Sequence, residues 1–350
     1  MVSDRILITG GAGFIGSHLV ERLVASGNRV VNLDLLTYAG NPDNLAALDG
    51  HERHVFVRGD IGDRALVHSL LSRHQPRIVF NLAAESHVDR SIDKADPFVE
   101  TNVTGVCRLL DACLAHWRGL DAAGQRAFRY IQMSTDEVYG SIAEGAFTEE
   151  SNYAPNSPYA ASKAAGDHFT RAFGATYGLP VSVVHASNTY GPRQYPEKLI
   201  PHMIIAALAG RPLPVYGEGA NVRDWLHVGE LVRGLEQLVT RAEPGETYNL
   251  AGGDEWRNID TVRALCAHLD ALAPAARPHA EKITFVADRP GHDLRYAMAS
   301  NKIFNLCGWR PELGFADGLR QTASWYLENR AWWQKVLDRG YEPARIGVGA

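Results

Sequence analysis

Four glycines fall within seven residues, Gly10-Gly11-Ala12-Gly13-Phe14-Ile15-Gly16, between a short apolar stretch (5–9) and a segment with helical apolar spacing (14–25). Strand, glycine turn and helix in that order open a dinucleotide-binding βαβ unit. Gly10 makes the turn, and Gly13 lets the backbone approach a pyrophosphate that the helix N-terminus stabilises. Gly16 permits close packing of helix on strand. Asp34 ends the next strand-like run, Val30-Val31-Asn32-Leu33-Asp34, about twenty residues on, where a carboxylate bonds a ribose 2′-hydroxyl. A carboxylate repels a 2′-phosphate there, so NAD is expected rather than NADP. Asp60-Ile61, at the end of the third run, is placed to flank an adenine.

The same alternation continues along the chain. Strand-like runs at 54–60, 78–83, 130–134 and 181–186 are separated by helical spacing at 64–73, 99–116 and 159–177. The expected fold class is α/β, a doubly wound parallel sheet of Rossmann type with a smaller, interleaved α/β lobe. After Ser187 the pattern weakens, with Pro192, Pro196, Pro201, Pro212 and Pro214 punctuating a loop-rich stretch. Helices at 226–239 and 316–329 are expected to return to the main sheet. The resulting division is 1–186 for the NAD domain, with returning segments near 224–250 and 300–330. Residues 187–223 and 251–299 form the second lobe, and 331–350 a tail.

Two clusters carry chemistry. Ser134-Thr135-Asp136-Glu137 follows the apolar run 130–133, so hydroxyls and carboxyls reach the carboxyl edge of the sheet, where ligands of open α/β sheets bind. Tyr159 and Lys163 lie one helical turn apart on one face. A nearby ammonium favours the phenolate, which makes Tyr159 a base for an alcohol that loses hydride. Oxidation alone needs nothing more. Asp136 and Glu137 add a second capability, elimination of water, with one carboxyl taking a carbon-bound proton and the other protonating the leaving hydroxyl.

Composition narrows the partners. A net charge of −5 gives no case for nucleic acid or membrane binding. The four cysteines show no metal-ligand spacing, and the fourteen histidines include no His-Glu-x-x-His, so no metal is expected. Strand-like residues begin by Arg5, which is read as leaving no room for a signal peptide, and a cytoplasmic protein is expected.

With these motifs in hand, the chain resembles the extended short-chain dehydrogenase/reductases, and among them the dTDP-glucose 4,6-dehydratase family. The resemblance runs through 34–41, Ala83-Ala-Glu-Ser-His-Val-Asp-Arg-Ser91, Thr101-Asn102, 134–140, Asn156-Ser-Pro-Tyr-Ala-Ala-Ser-Lys163, Ser187-Asn-Thr-Tyr-Gly-Pro192, Pro196-Glu-Lys-Leu-Ile-Pro201, Asn221-Val-Arg-Asp-Trp225 and Asp288-Arg-Pro-Gly-His-Asp293. It implies an NAD site lined by Phe14, Ile15, Asp34, Leu35, Leu36, Thr37, Asp60, Ile61, Leu82, Ala83, Ala84, Ser86, Thr101, Tyr159, Lys163 and Thr189. For the nucleotide sugar it implies Ser86, Thr135, Asn188, Lys198, Leu199, Pro214, Tyr216, Arg223, Asn258, Asp288, Arg289 and His292. The two arginines suit a diphosphate, since a guanidinium gives paired charge-assisted bonds.

The resemblance also implies a reaction. Tyr159 deprotonates the glucose C4 hydroxyl, which Thr135 holds, and hydride passes to NAD. Glu137 then removes the C5 proton, Asp136 protonates the C6 hydroxyl, and hydride returns to C6. It implies a homodimer joined by a four-helix bundle built from 99–116 and 159–177. His185, Ala186, Thr189 and Trp256 depart from the family pattern and bear on substrate preference. Three alternatives stay open: a dehydratase of another sugar nucleotide such as GDP-mannose, a nucleotide-sugar 4-epimerase with no evident use for the carboxyl pair, and a non-enzymatic NAD-binding sensor.

Overall fold

The computed structural model describes residues 4–339. Strands β1 (Arg5–Thr9), β2 (Arg29–Asp34), β3 (His54–Arg58), β4 (Ile78–Asn81), β5 (Arg129–Thr135) and β6 (Val181–Ala186) lie in the first half. Then come β7 (Asn188–Tyr190), β8 (Leu213–Tyr216), β9 (Val222–His227), β10 (Thr247–Leu250), β11 (Glu255–Arg257) and β12 (Ile283–Val286). Seven strands form one parallel sheet in the order β10-β6-β5-β4-β1-β2-β3. The order reverses at β1, whose Leu7 is paired with Val31 of β2 on one side and Val79 of β4 on the other. The expected doubly wound Rossmann-type sheet is therefore present, and its switch point places a ligand crevice at the carboxyl ends of β1 and β4.

Parallel strands covered on both faces read as continuous apolar runs, and the central strands are almost wholly buried. Alternate side chains feed two separate cores. Ile6, Ile8, Phe80 and Ile131 pack with Leu19 and Leu23 of helix Phe14–Ala25 and with Leu231, Leu235 and Leu238 of helix Val228–Arg241. Leu7, Val79 and Tyr130 point the other way, toward Val67 and Leu71 of Arg64–His74 and Leu109 and Cys113 of Val106–Arg118. A third core lies outside the sheet and joins helices Leu199–Leu208, Asn258–Leu272 and Phe315–Glu328 around Trp225. The small sheets β11-β9-β7 and β12-β8 accompany it.

Five expectations change. The helix expected at 316–329 to return to the main sheet, Phe315–Glu328, packs instead into the third core with Leu199–Leu208 and Asn258–Leu272. The helix placed at 226–239 starts two residues later: Leu226 and His227 finish β9, and His227 Nδ1 accepts from Gly229 N (3.2 Å) to cap the helix. The helix at 99–116 opens with a π-helical stretch, Glu100–Gly105. The stretch after Ser187 holds a ten-residue helix, because Pro201 sits in its first turn, where a missing N–H breaks no bond. Finally, the expected tail begins as helix Arg330–Asp338 with Trp333 and Val336 buried, while 340–350 lie outside the described residues.

Candidate active site

The carboxyl ends of the central strands open onto a cavity of about 500 Å³. At one end lies the glycine turn. Gly10 has φ +70, and a Cβ on it would come within 2.7 Å of Ala83 N; on Gly16 it would come within 2.1 Å of Gly10 O. Only bare backbone fits there, which is what close approach of a dinucleotide's pyrophosphate to a helix N-terminus requires. Asp34 is buried and accepts from Ala12 N (2.9 Å) and Leu36 N (2.8 Å). Burial raises its pKa, and these two bonds oppose the rise. The turn, Asp34 and the loop 82–86 thus fit NAD.

The chemical groups line the same cavity. Thr135 ends β5, and its Oγ1 donates to Asp136 Oδ1 (3.1 Å) and accepts from Glu137 N (3.3 Å). Tyr159 stands in the first turn of helix Pro158–Tyr177, capped by Ser157, and lines the same cavity as Thr135. Two further bonds fix that turn: Tyr159 N donates to Ser91 Oγ (3.1 Å), and Ser162 Oγ donates to Tyr159 O (2.7 Å). Asn102, carried by the π-helical stretch, donates to Ser162 Oγ (2.9 Å) and exchanges two bonds with the Glu85 backbone. One side chain therefore ties the Tyr159 helix to the cofactor loop.

The two carboxyls sit in different fields. Both are raised by burial. Asp136 is pushed well above the carboxylic range, with Glu137 and Asp224 adding to the rise. Glu137 is raised too, but Arg289, Arg223 and Lys198 pull against burial. Environments that separate two carboxyls in this way mark one as proton donor and the other as base. The phenol does not follow expectation. Burial and the Glu137 charge hold the Tyr159 pKa up, while Lys163 is lowered by burial and directs Nζ to Met133 O (2.7 Å).

Lys198, Arg223 and Arg289 also line the cavity. Lys198 Nζ donates to Ser86 O (2.8 Å), and Arg289 Nη1 to Asp89 Oδ1 (3.1 Å). Arg223 lies 4.4 Å from the centre of the Tyr296 ring and donates to Val222 O (2.8 Å) and Asp293 O (3.1 Å). Asn188 Oδ1, Asn258 Oδ1 and Arg289 Nε are buried without a partner, the condition of groups that await a polar ligand.

Nearly all the expected site residues line this cavity. Leu36 and Asp288 do not. Leu36 adopts φ +57 and packs, partly buried, against the core that Phe14 and Ile15 also pack against. Asp288 is outside the wall, accepting from His292 Nδ1 (2.6 Å) and Arg289 N (2.8 Å), and so orients its neighbours. The motifs assign no role to His87, Asp89, Ser91, Asn102 or Glu197. Most of these lie inside the quoted motifs, which was the available signal. His87 is lowered to about 2 by burial and by Lys198, Arg90 and Arg289, so it stays neutral beside the buried Glu197.

The GDP-mannose 4,6 dehydratase family model matches residues 7–322. A dTDP-glucose 4,6-dehydratase of Xanthomonas campestris pv. campestris (strain B100) is 53% identical over 345 residues, covering 98% of each chain. That of Escherichia coli (strain K12) is 47% identical over 349 residues, covering 97% of each. Among solved structures, DesIV (dTDP-glucose 4,6-dehydratase) from Streptomyces venezuelae with NAD and TYD bound has a TM-score of 0.87 at 45% identity, covering 95% of this chain and 99% of that one. The UDP-glucose 4-epimerase of Thermus thermophilus in complex with NAD reaches 0.82 at 30%, covering 93% and 99%. With the carboxyl pair beside Tyr159 and with these relatives matched over nearly their whole length, the chain belongs to the dTDP-glucose 4,6-dehydratase family.

Proposed function

We propose that this chain is an NAD-dependent enzyme that converts dTDP-glucose to dTDP-4-keto-6-deoxyglucose, a hydro-lyase rather than an epimerase. The observation that carries the reading is the buried Asp136 and half-buried Glu137 beside Tyr159, the first with Glu137 and Asp224 raising it and the second with three cations pulling against burial. Epimerisation at C4 has no use for such a pair. The glycine turn, Asp34 and the 82–86 loop hold NAD, which when bound supplies a reversible hydride acceptor. Tyr159 takes the proton of the C4 hydroxyl, whose oxygen Thr135 holds. Once C4 is a ketone the C5 proton is acidic, and Glu137 removes it. Asp136 protonates the C6 hydroxyl as it leaves as water, and Glu137 returns its proton to C5. Arg223, Arg289 and Lys198 supply positive charge for the diphosphate.

This reading divides the chain into an NAD-binding part, 1–186 with returns near 224–250 and 300–330, and a sugar-nucleotide part, 187–223 and 251–299. The separate core that joins helices Leu199–Leu208 and Asn258–Leu272 supports a second lobe, although Trp225 and helix Phe315–Glu328 pack into that core as well. All four cysteines are free thiols, which supports a reducing compartment such as the cytoplasm. No described helix is long and apolar enough to cross a membrane.

The test uses the protein as purified. Denaturation is expected to release NAD⁺ with some NADH, and dTDP-glucose to give a 4-keto-6-deoxy product lighter by one water. Release of NADP alone, turnover of GDP-mannose in preference, or a product of unchanged mass would overturn the reading.

The same reading includes a homodimer. Helices Val106–Arg118 and Pro158–Tyr177 pack on each other, and Phe169 and Tyr177 on the second, with Val99 just before the π-helical stretch, are 43%, 45% and 49% exposed. Apolar side chains exposed along adjoining helices fit a bundle with a second copy. Sedimentation is expected to give twice 38.4 kDa, with Phe169→Asp shifting the mass toward the monomer. A parent protein that stays monomeric at micromolar concentration would exclude the bundle.

A further inference from the structure

The reaction proposed above returns to C6 the hydride that leaves C4. NAD therefore ends each turnover in the form in which it began and need not leave. Such a cofactor is served best by a site that holds it rather than lets it exchange. The loop after Asp34 is built in that way. Thr37, Ala39 and Gly40 line the cavity together with Gly10 and Gly13. Leu36 N donates to Asp34 Oδ1 (2.8 Å), and a Cβ on Gly40 would come within 2.9 Å of the same oxygen. Further along, Asn41 N (3.0 Å) and Asn44 Nδ2 (2.9 Å) both donate to Ala12 O in the glycine turn. That oxygen shares one planar peptide unit with the N–H of Gly13, the N-cap of helix Phe14–Ala25. Holding Ala12 O fixes the plane of that unit.

We infer that helix Arg330–Asp338 clamps this loop, with Trp332 as a positioning residue that holds Asn44, and through it the glycine turn, in the shape that retains NAD. Trp332 Nε1 donates to Asn44 Oδ1 (2.8 Å) across 288 residues of chain. Asn44 is buried, and its amide is used at both ends: the oxygen accepts from the indole while the nitrogen donates to Ala12 O. Turning the amide over would set donor against donor and acceptor against acceptor, so the two partners together fix its orientation.

The neighbouring contacts are weaker. Lys335 Nζ reaches Asp43 Oδ2 (3.1 Å), but its side chain is 63% exposed, and an ion pair in that setting contributes little. Arg339 Nη1 donates to Asn41 Oδ1 at 3.4 Å. Trp332 is the better anchored group. Its ring meets Trp325 edge-on at 5.1 Å and packs against the third core. Leu45 and Leu48, next to Asn44, belong instead to the core of Leu19 and Leu23. The indole bond thus ties the core of the second lobe to the cofactor loop. Packing alone would make no use of the indole N–H, and that difference can be measured.

Trp332→Phe keeps an aromatic ring beside Trp325 and has no N–H. Asn44→Leu keeps the size of the side chain and removes both of its bonds. Each protein is purified with its own NAD, stripped of free nucleotide, and sampled over time for nucleotide still bound. Trp332→Phe is expected to lose NAD about 2–10-fold faster than the parent, the contribution of one hydrogen bond whose buried acceptor is left unpaired. Asn44→Leu should lose it faster still. The double variant should be no faster than Asn44→Leu, because the bond that Trp332 makes is already gone. Added NAD should restore the turnover of dTDP-glucose by Trp332→Phe, which a collapse of the lobe would not allow. The inference fails if Trp332→Phe keeps NAD as long as the parent does, if the two single effects add in full, or if turnover stays low in excess NAD. A parent that purifies without NAD and takes none up is a different result: it strikes the cofactor reading itself, and the clamp falls with it.

Discussion

Replacing Tyr159 with Phe is expected to lower turnover of dTDP-glucose by about 10²–10⁴-fold, the usual worth of a positioned general base, while leaving the fold and the bound NAD in place. The substitution removes one oxygen. What holds the residue is backbone: Ser91 Oγ at its N–H and Ser162 Oγ at its carbonyl. The ring keeps its edge contact with Phe98 at 6.3 Å between centroids, and Thr135 keeps its bond to Asp136. Thermal unfolding of the variant should stay close to that of the parent, and its NAD content should not fall. Because burial and the Glu137 charge hold the phenol above its ordinary pKa in the free chain, the parent's rate should also rise with pH over the range in which the phenolate forms. Tyr159→Phe should lose that rise. Near-parental turnover of the variant would mean that another group takes the C4 proton.

What could be read from the sequence were the features that local chemistry dictates. The glycine turn is legible because Gly10 needs a positive φ and Gly16 a bare Cα; no other residue type answers both. Asp136 and Glu137 are legible because a strand that runs out in carboxyls can deliver them only to the sheet edge. The remainder depends on partners far apart in the chain. The Asn102 bond to Ser162 spans 60 residues, and the Arg289 bond to Asp89 spans 200. No residue type announces the extra turn width at Glu100–Gly105 that carries Asn102. Leu226 and His227 were misassigned because a short apolar run suits a strand or a helix equally, and the strand won by pairing with β7 on one side while its first residues pair with β11 on the other. The field around Tyr159 was misjudged for a similar reason. Lys163 is on the same helix face, but its amine finds Met133 O before it finds the phenol.

Glu137→Gln should separate oxidation from elimination. The amide keeps shape and hydrogen bonding but cannot take the C5 proton, while Thr135, Tyr159 and Lys163 remain. On mixing with dTDP-glucose, NADH absorbance should therefore appear and persist, with overall turnover lower by about 10²–10⁴-fold and exchange of the C5 proton with solvent deuterium falling in step. Asp136→Asn should behave differently, because only the donor to C6 is lost: C5 exchange should persist while water loss slows. The electrostatics give each variant a pH signature. Glu137 must be ionised to act, and its pKa is raised, so the parent's C5 exchange should fall as pH drops through a value above the usual carboxyl range. That limb should vanish in Glu137→Gln. Asp136 must be protonated to act, and its pKa is raised further, so water loss should weaken only at higher pH, and that alkaline limb should vanish in Asp136→Asn. Arg223, Arg289 and Lys198 pulling against burial at Glu137, while Glu137 and Asp224 add to it at Asp136, are the physical reason why two adjacent acids differ in proton affinity in a single site. Equal defects in exchange and water loss for both variants, with unchanged pH limbs, would mean that the pair acts as one unit and that the division between base and acid is wrong.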